Sequence, residues 1–208
     1  NGELYSFKKM GGTWIEEPRN AYGGKSDLDP ERERKDIALG MIKRTDVLLI
    51  SPIDSSNELY LNPSSNPGRK ACWYSLAYTL RAAGSRYLDM DPEEINTGYT
   101  VKSEPIQGGR ILKAEVFLAD HLENGSGYAT FLGENLGSFF SEVRAYMSDL
   151  EGEHADICDS SCYSCLRDYR NSSFHPFLDW RLARDMVDLL SGSEIDFLRW
   201  QYRELELA

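Results

Sequence analysis

From Lys70 onward, apolar residues recur at intervals of three and four, at Trp73, Leu76, Ala77, Leu80 and Ala83. That spacing puts them on one face of a helix, expected to end near Gly84. A longer stripe of Tyr128, Phe131, Leu132, Leu136, Phe139, Phe140, Val143, Met147 and Leu150 predicts a second long helix. Gly133 and Gly137 interrupt it, where another element is expected to approach closely. Leu178, Leu182, Met186 and Leu189 form a third apolar face, with Pro176 at a first helical position and Ser191-Gly192 at the end. A last helix over Ser193 to Leu207 has weaker periodicity and is a candidate to dock onto another subunit.

Shorter apolar runs predict strands over Asp36 to Ile42 and Asp46 to Pro52, joined by Lys43-Arg44-Thr45. Two more are expected over Thr97 to Lys102 and Arg110 to Leu118, around Pro105 to Gly109. Residues 1–35 are polar, with Gly11-Gly12, Gly23-Gly24 and Pro30, and read as irregular chain around one short strand, the end of a preceding domain. Ser55 to Arg69, rich in Asn, Pro and Ser, reads as a long exposed loop and the first place to expect disorder. The expected fold is α+β: a mixed or antiparallel sheet, long amphipathic helices and a C-terminal metal-binding loop between helices. Residues 36–192 make the domain, and 193–208 an added helix.

With 208 residues, 41% hydrophobic and 12% aromatic, the chain can bury a core without a covalent staple. Its net charge of −11 argues against a surface that grips phosphates broadly. Glu16-Glu17, Asp89 to Glu94 and the pair Glu204 and Glu206 read as solvated faces. No run of about 18 apolar residues exists, so no membrane span is expected. Asn1 and Gly2-Glu-Leu-Tyr-Ser-Phe read like the middle of a polypeptide without a targeting signal, which suggests a C-terminal fragment of a cytoplasmic protein.

Three of the four cysteines and one of the three histidines fall within His154-Ala-Asp-Ile-Cys158-Asp-Ser-Ser-Cys162-Tyr-Ser-Cys165. Three thiolates and an imidazole at such short gaps supply the donors of a closed tetrahedral zinc site, so structural Zn2+ is the first reading. A disulfide fits a secreted chain better than one with so few cysteines. A redox pair Cys162 and Cys165 needs neither Cys158 nor His154, and would open a helix directly after a strand. An iron–sulfur cluster takes the same thiolates and stays open. Cys72, in the first helix, reads as a small buried hydrophobe.

Arg167, Arg170, Arg181 and Arg184 concentrate around this segment, and pairing with Asp168, Asp185 and Asp188 is the plainer reading. Trp180 then packs, and Asp179 or Asn171 hydrogen-bonds the metal loop. The sharper reading makes Arg167, Tyr169, Arg170, Asn171 and Arg181 a surface for a nucleic-acid strand or a partner domain. Elsewhere, Asp120-His121 followed by Gly125-Ser-Gly127 offers a base, a metal ligand and an anion-binding nest, the layout of a metal-dependent nuclease or hydrolase. A turn with a helix cap is the favoured alternative.

Cys165-Leu-Arg-Asp-Tyr-Arg-Asn171 and His175-Pro-Phe-Leu-Asp179-Trp180-Arg181 resemble the end of the MrfA-like zinc-binding domain. That domain occurs C-terminal to DEAD/DEAH-box helicase cores and in DrmB-type proteins of the DISARM phage-defence system. The forms Asp-Ser-Ser-Cys, Leu-Arg-Asp-Tyr and Leu-Asp-Trp-Arg are similar to the DrmB-like branch. Upstream, Thr45 to Ile50 resembles the family's first strand, Ala71 to Gly84 its long helix, and Phe117 to Gly127 its Asp and glycine-rich segment. Relatives often place a fourth cysteine in the site; here His154 is the candidate for that place and His175 the alternative. The resemblance implies a noncatalytic accessory domain, working beside a superfamily 2 helicase core or subunit in DNA repair or phage defence and reaching DNA through that complex. A pure protein–protein adaptor, suggested by the acidic surface, is the other noncatalytic reading.

Overall fold

A computed structural model describes residues 4–10, 13–19, 43–52, 66–106, 109–193, 196 and 198. Two compact units divide the chain, residues 1–43 and 44–208. The first contains β1 (Leu4–Met10) and β2 (Thr13–Arg19), paired antiparallel from Leu4 opposite Arg19 to Met10 opposite Thr13. Two strands therefore stand where one was expected. In sequence, the Gly11-Gly12 pair that suggested irregular chain falls between them. The strand expected over 36–42 and most of the loop expected over 55–69 lie outside the described residues, as does nearly all of the expected last helix; Asn66 and residues 67–69, at the end of that loop, instead cap and open a helix.

The second unit is built around α1 (Pro67–Leu88), a 22-residue helix that packs against sheet and helices alike. Its start is fixed chemically. Asn66 caps it, the side-chain oxygen accepting from the N–H groups of Gly68 at 2.9 Å and Arg69 at 3.2 Å, and Pro67 supplies a preset φ. The stripe Trp73, Leu76, Ala77, Leu80 and Ala83 is buried, as its spacing predicts. The helix does not stop at Gly84 but runs on to Leu88, with Asp89 in the left-handed region closing it. Gly84 serves packing instead: a Cβ there would lie 3.2 Å from the Leu132 side chain.

A three-stranded antiparallel sheet lies against α1, in the order β3 (Val47–Ile50), β5 (Gly109–Asp120), β4 (Ile95–Ile106). The register aligns Leu48 with Leu118 and Ile50 with Val116. With Ala114, the residues Ile50, Val116 and Leu118 are buried in the core, while Val47 and Leu49 face outward on the opposite pleat. The sheet is wholly antiparallel, within the α+β class expected.

The second apolar stripe folds as two helices, α2 (Tyr128–Glu134) and α3 (Leu136–Glu151), broken at Asn135. The Asn135 amide donates to the Phe131 carbonyl at 2.9 Å, a local bond that competes with helix continuation. Leu132, Phe139, Val143, Met147 and Leu150 are buried, but Phe131 and Leu136 are exposed on either side of the break. A Cβ at Gly133 would touch Leu48 at 3.5 Å, the close approach expected, whereas one at Gly137 would meet nothing. A further helix, α4 (Trp180–Leu190), starts four residues after Pro176. That proline sits inside a short 3-10 turn, Ser172–Phe177, and Asp179 caps α4 by accepting the Arg181 N–H at 3.0 Å. Residues 152–179 form the loop between α3 and α4. Among the described residues, no helix is long and apolar enough to cross a membrane.

Candidate metal centre

After α3, a 3-10 turn over Glu153–Asp156 carries His154 to the site. The chain then passes Cys158, which is buried, and folds tightly at Cys162-Tyr-Ser-Cys165. There the Cys162 carbonyl accepts the N–H of Cys165 at 3.1 Å and of Arg167 at 3.0 Å. As a result, one donor atom from each of His154, Cys158, Cys162 and Cys165 lies within 4.8 Å of every other. Cys158 Sγ and Cys165 Sγ are 4.0 Å apart, and Cys162 Sγ stands 3.8 Å from His154 Nε2. A tetrahedron with Zn–S bonds of about 2.3 Å has edges of about 3.8 Å. The donor set fits zinc in chemistry and in size.

The three thiols differ in their electrostatic surroundings. Burial pushes the Cys165 thiol up to about 12, and burial together with Cys162 raises Cys158. Burial acts upward on Cys162 too. The Ser164 N–H, at 3.3 Å, and the two neighbouring thiols outweigh it and hold Cys162 below its usual value. A bound dication stabilises all three as thiolates, so metal binding releases protons. All four cysteines are free of disulfides, and no helix opens at Cys162, as a thioredoxin-like dithiol requires. Cys72 is elsewhere, half-buried against the core, its thiol raised to about 11 by burial and then by Asp185.

Groups behind the donors fix the loop. The Trp180 indole N–H donates to the Cys158 carbonyl at 3.1 Å, and the Tyr146 hydroxyl to the Cys165 carbonyl at 3.0 Å. Ser161 is buried and donates to the Leu178 carbonyl at 2.7 Å while accepting from Arg167 Nε at 2.9 Å. Asn171, expected on the plainer reading to hydrogen-bond the metal loop, does so and is 1% exposed. Its amide donates to the Leu166 carbonyl at 2.8 Å, and its oxygen accepts the Asp168 N–H at 2.9 Å. His175 is not among the clustered donors. Its Nε2 lies 2.8 Å from the Asn171 oxygen and 3.0 Å from the Asp168 carbonyl, both acceptors, so that nitrogen carries the proton.

The arginines around the loop are engaged. Arg170 pairs with Glu93 at 2.6 Å, Arg181 with Asp179 at 3.3 Å, and Arg184 with Glu151 at 2.7 Å and Asp188 at 3.3 Å. Asp168 forms its ion pair with Arg81 of α1 instead of with an arginine of its own segment, and its Oδ1 accepts the Asn171 N–H at 2.8 Å. Of the residues that the sharper reading places on a surface at this segment, Tyr169 and Arg170 are exposed, Arg167 and Arg181 are partly covered, and Asn171 is inside. Tyr163, 62% exposed and ring to ring with Tyr169 at 5.5 Å, belongs to that surface and was not foreseen. Its position between two donor cysteines of a tight turn, with the turn's interior taken by sulfur, is the signal that marks it. Tyr146 had no such signal.

Asp120 and the glycine segment form a helix cap. The buried carboxylate accepts four backbone N–H groups: those of Ser126 and Gly127 at 2.6 Å and Tyr128 at 3.2 Å on one oxygen, and that of Ala129 at 2.8 Å on the other. His121 is exposed, its Nδ1 3.5 Å from the Asn96 side-chain oxygen. Gly125 and Gly127 adopt φ of 80° and 84°, which L side chains resist. Asp46 crowds Gly125 as well, its Oδ2 standing 2.5 Å from where a Cβ would lie.

Residues 76–166 match the family described as the MrfA Zn-binding domain (MZB). Among curated proteins, the Druantia protein DruE of Escherichia coli (strain UMEA 4076-1) is 31% identical over 164 residues, which is 74% of this chain and 8% of that protein. The chain thus spans under a tenth of this relative's length. Two crystal structures of the DUF1998 helicase MrfA, bound to DNA and AMPPNP or to DNA, each overlap 90% of this chain and 22% or 23% of theirs. Their identities are 12% and 14% and their TM-scores 0.39 and 0.38, superpositions too loose to establish a shared fold. Geometry and profile agree on the same segment, and residues 76–166 of this chain are a zinc-binding domain of the MrfA type.

Proposed function

We propose that this chain is a noncatalytic module of a longer helicase-linked or phage-defence protein, and that His154, Cys158, Cys162 and Cys165 hold one structural zinc ion. The observation that carries this reading is the convergence of four soft donors, with hydrogen bonds from α3 and α4 bracing the carbonyls of two of them. With four protein donors, zinc has no open position for a substrate and acts as a cross-link. The chain's own residues do the remaining work. Arg81 ties the loop to α1 through Asp168, and Asn171 locks the turn that follows Cys165.

The resulting rigid body supports docking of a superfamily 2 helicase core or engagement of nucleic acid by the whole assembly. Support comes from the family match over residues 76–166 and from the similarity to a Druantia protein. DISARM and DNA repair, suggested by the sequence resemblance, are two settings of the same role. A noncatalytic role also accords with Asp120, whose two oxygens are committed to four N–H groups. Replacing Cys158, Cys162 or Cys165 with serine is expected to lower zinc content and melting temperature together. Unaltered melting in all three variants overturns the structural role.

A further inference from the structure

Beside the metal centre, the end of α1 and the turn after it face the loop across a cleft of about 500 Å3. Tyr78 and Tyr146 line it, and Tyr163 stands at the rim next to Tyr169, which is 87% exposed. A pair of outward tyrosines offers large apolar area with little rotamer entropy to lose, the character of interface anchors.

Charge selects the partner. Of the arginines lining the cleft, Arg81 is neutralised by Asp168, and Arg86 by Glu142 and Asp149. Glu93 on the rim is matched by Arg170. Asp89 and Asp91 form the opposite lip, exposed, and among the described residues no cation pairs with either. They follow the C-terminus of α1, whose carbonyl dipole adds negative potential, against which Arg167 is the remaining cation. The net charge of −11 has the same sign.

We infer that the cleft and the Tyr163–Tyr169 ledge bind a basic protein segment, its arginine or lysine side chains against Asp89 and Asp91 and an apolar side chain on the tyrosines. A single nucleic-acid strand has the rings to stack on this ledge, but its phosphates meet the unmatched carboxylates. The inference deepens the partner-docking role and rests on the loop being held by zinc.

The test is fluorescence anisotropy with the zinc-loaded 208-residue chain and three labelled probes: a peptide alternating arginine and leucine, the same peptide with glutamate for arginine, and an oligothymidylate. Zinc content is measured on every sample. The arginine peptide is expected to bind, and D89N/D91N and Y163A/Y169A each to weaken it about fivefold or more. E134Q, which removes an exposed acid of α2 distant in sequence from the cleft, leaves binding unchanged. No binding of the arginine peptide, equal weakening by E134Q, or preference for the glutamate peptide or the oligonucleotide overturns the inference. Its failure with zinc present leaves the structural-zinc reading standing, whereas a zinc-free chain refutes that reading separately.

Discussion

The indole N–H of Trp180 reaches the carbonyl oxygen of Cys158 at 3.1 Å, linking the first residue of α4 to the second donor of the metal loop. The backbone N–H of Trp180 adds a bond to the Ser160 carbonyl at 2.8 Å. Removing the indole donor while keeping an aromatic ring, as in Trp180→Phe, leaves a buried carbonyl unpaired. Zinc affinity should fall about tenfold, and stability by about 1–3 kcal/mol. Chelator competition and thermal melting read the two effects, and unchanged affinity would show that the bond does not position the donors.

Asp120 is predicted to matter for folding and not for metal. Asp120→Asn turns an amide NH2 toward backbone N–H groups that now face a carboxylate oxygen. A loss of about 2–3 kcal/mol follows from breaking charge-assisted bonds at a buried site. Urea unfolding should show the loss while the zinc content of the folded protein stays the same. A variant with wild-type stability would contradict the cap.

The two glycines of the same segment separate backbone strain from crowding. Gly127→Ala meets no neighbour, so its cost is that of the left-handed conformation alone, about 1–2 kcal/mol. Gly125→Ala carries the same strain and also presses a methyl group on Asp46 Oδ2. It should be the more destabilising of the two in denaturant melts, and the reverse order would place Asp46 wrongly.

Much of this fold was legible because burial follows period. The stripe from Trp73 to Ala83 turns one face to the core and is buried, and the apolar run of β5 buries Ala114, Val116 and Leu118. What the pattern could not show were choices made by tertiary contacts. Gly84 looks like a helix end, yet the neighbouring Leu132 makes it a packing site. Asn135 interrupts a continuous apolar stripe through one side-chain bond, which periodicity does not register. The metal donors were legible because ligands to one ion must be close in space and here are close in sequence. The bracing groups Tyr146 and Trp180 arrive from two different helices, whereas Asn171 lies in the segment just after Cys165 and hydrogen-bonds that loop, as the plainer reading of it expects.

Asp168 gives the loop a defined pH dependence. Burial acts upward on its carboxyl, but Arg81 and the N–H groups of Asn171 and Arg170 outweigh it and hold the value below the usual 3.8. Because the folded value is depressed, the stabilisation is complete above about pH 4 and is lost as pH falls through the lowered value. The stability gap between wild type and Asp168→Asn should therefore be full at neutral pH and close in acid. A gap independent of pH would assign the loss to packing instead of charge.

The most direct test of the central claim is elemental analysis of the purified chain beside its His154→Ala and His175→Ala variants. The account predicts about one zinc per chain in the wild type, a clear loss in His154→Ala and retention in His175→Ala, because His175 Nε2 is turned to Asn171 and away from the thiols. No zinc in the wild type, or loss in His175→Ala alone, would contradict it.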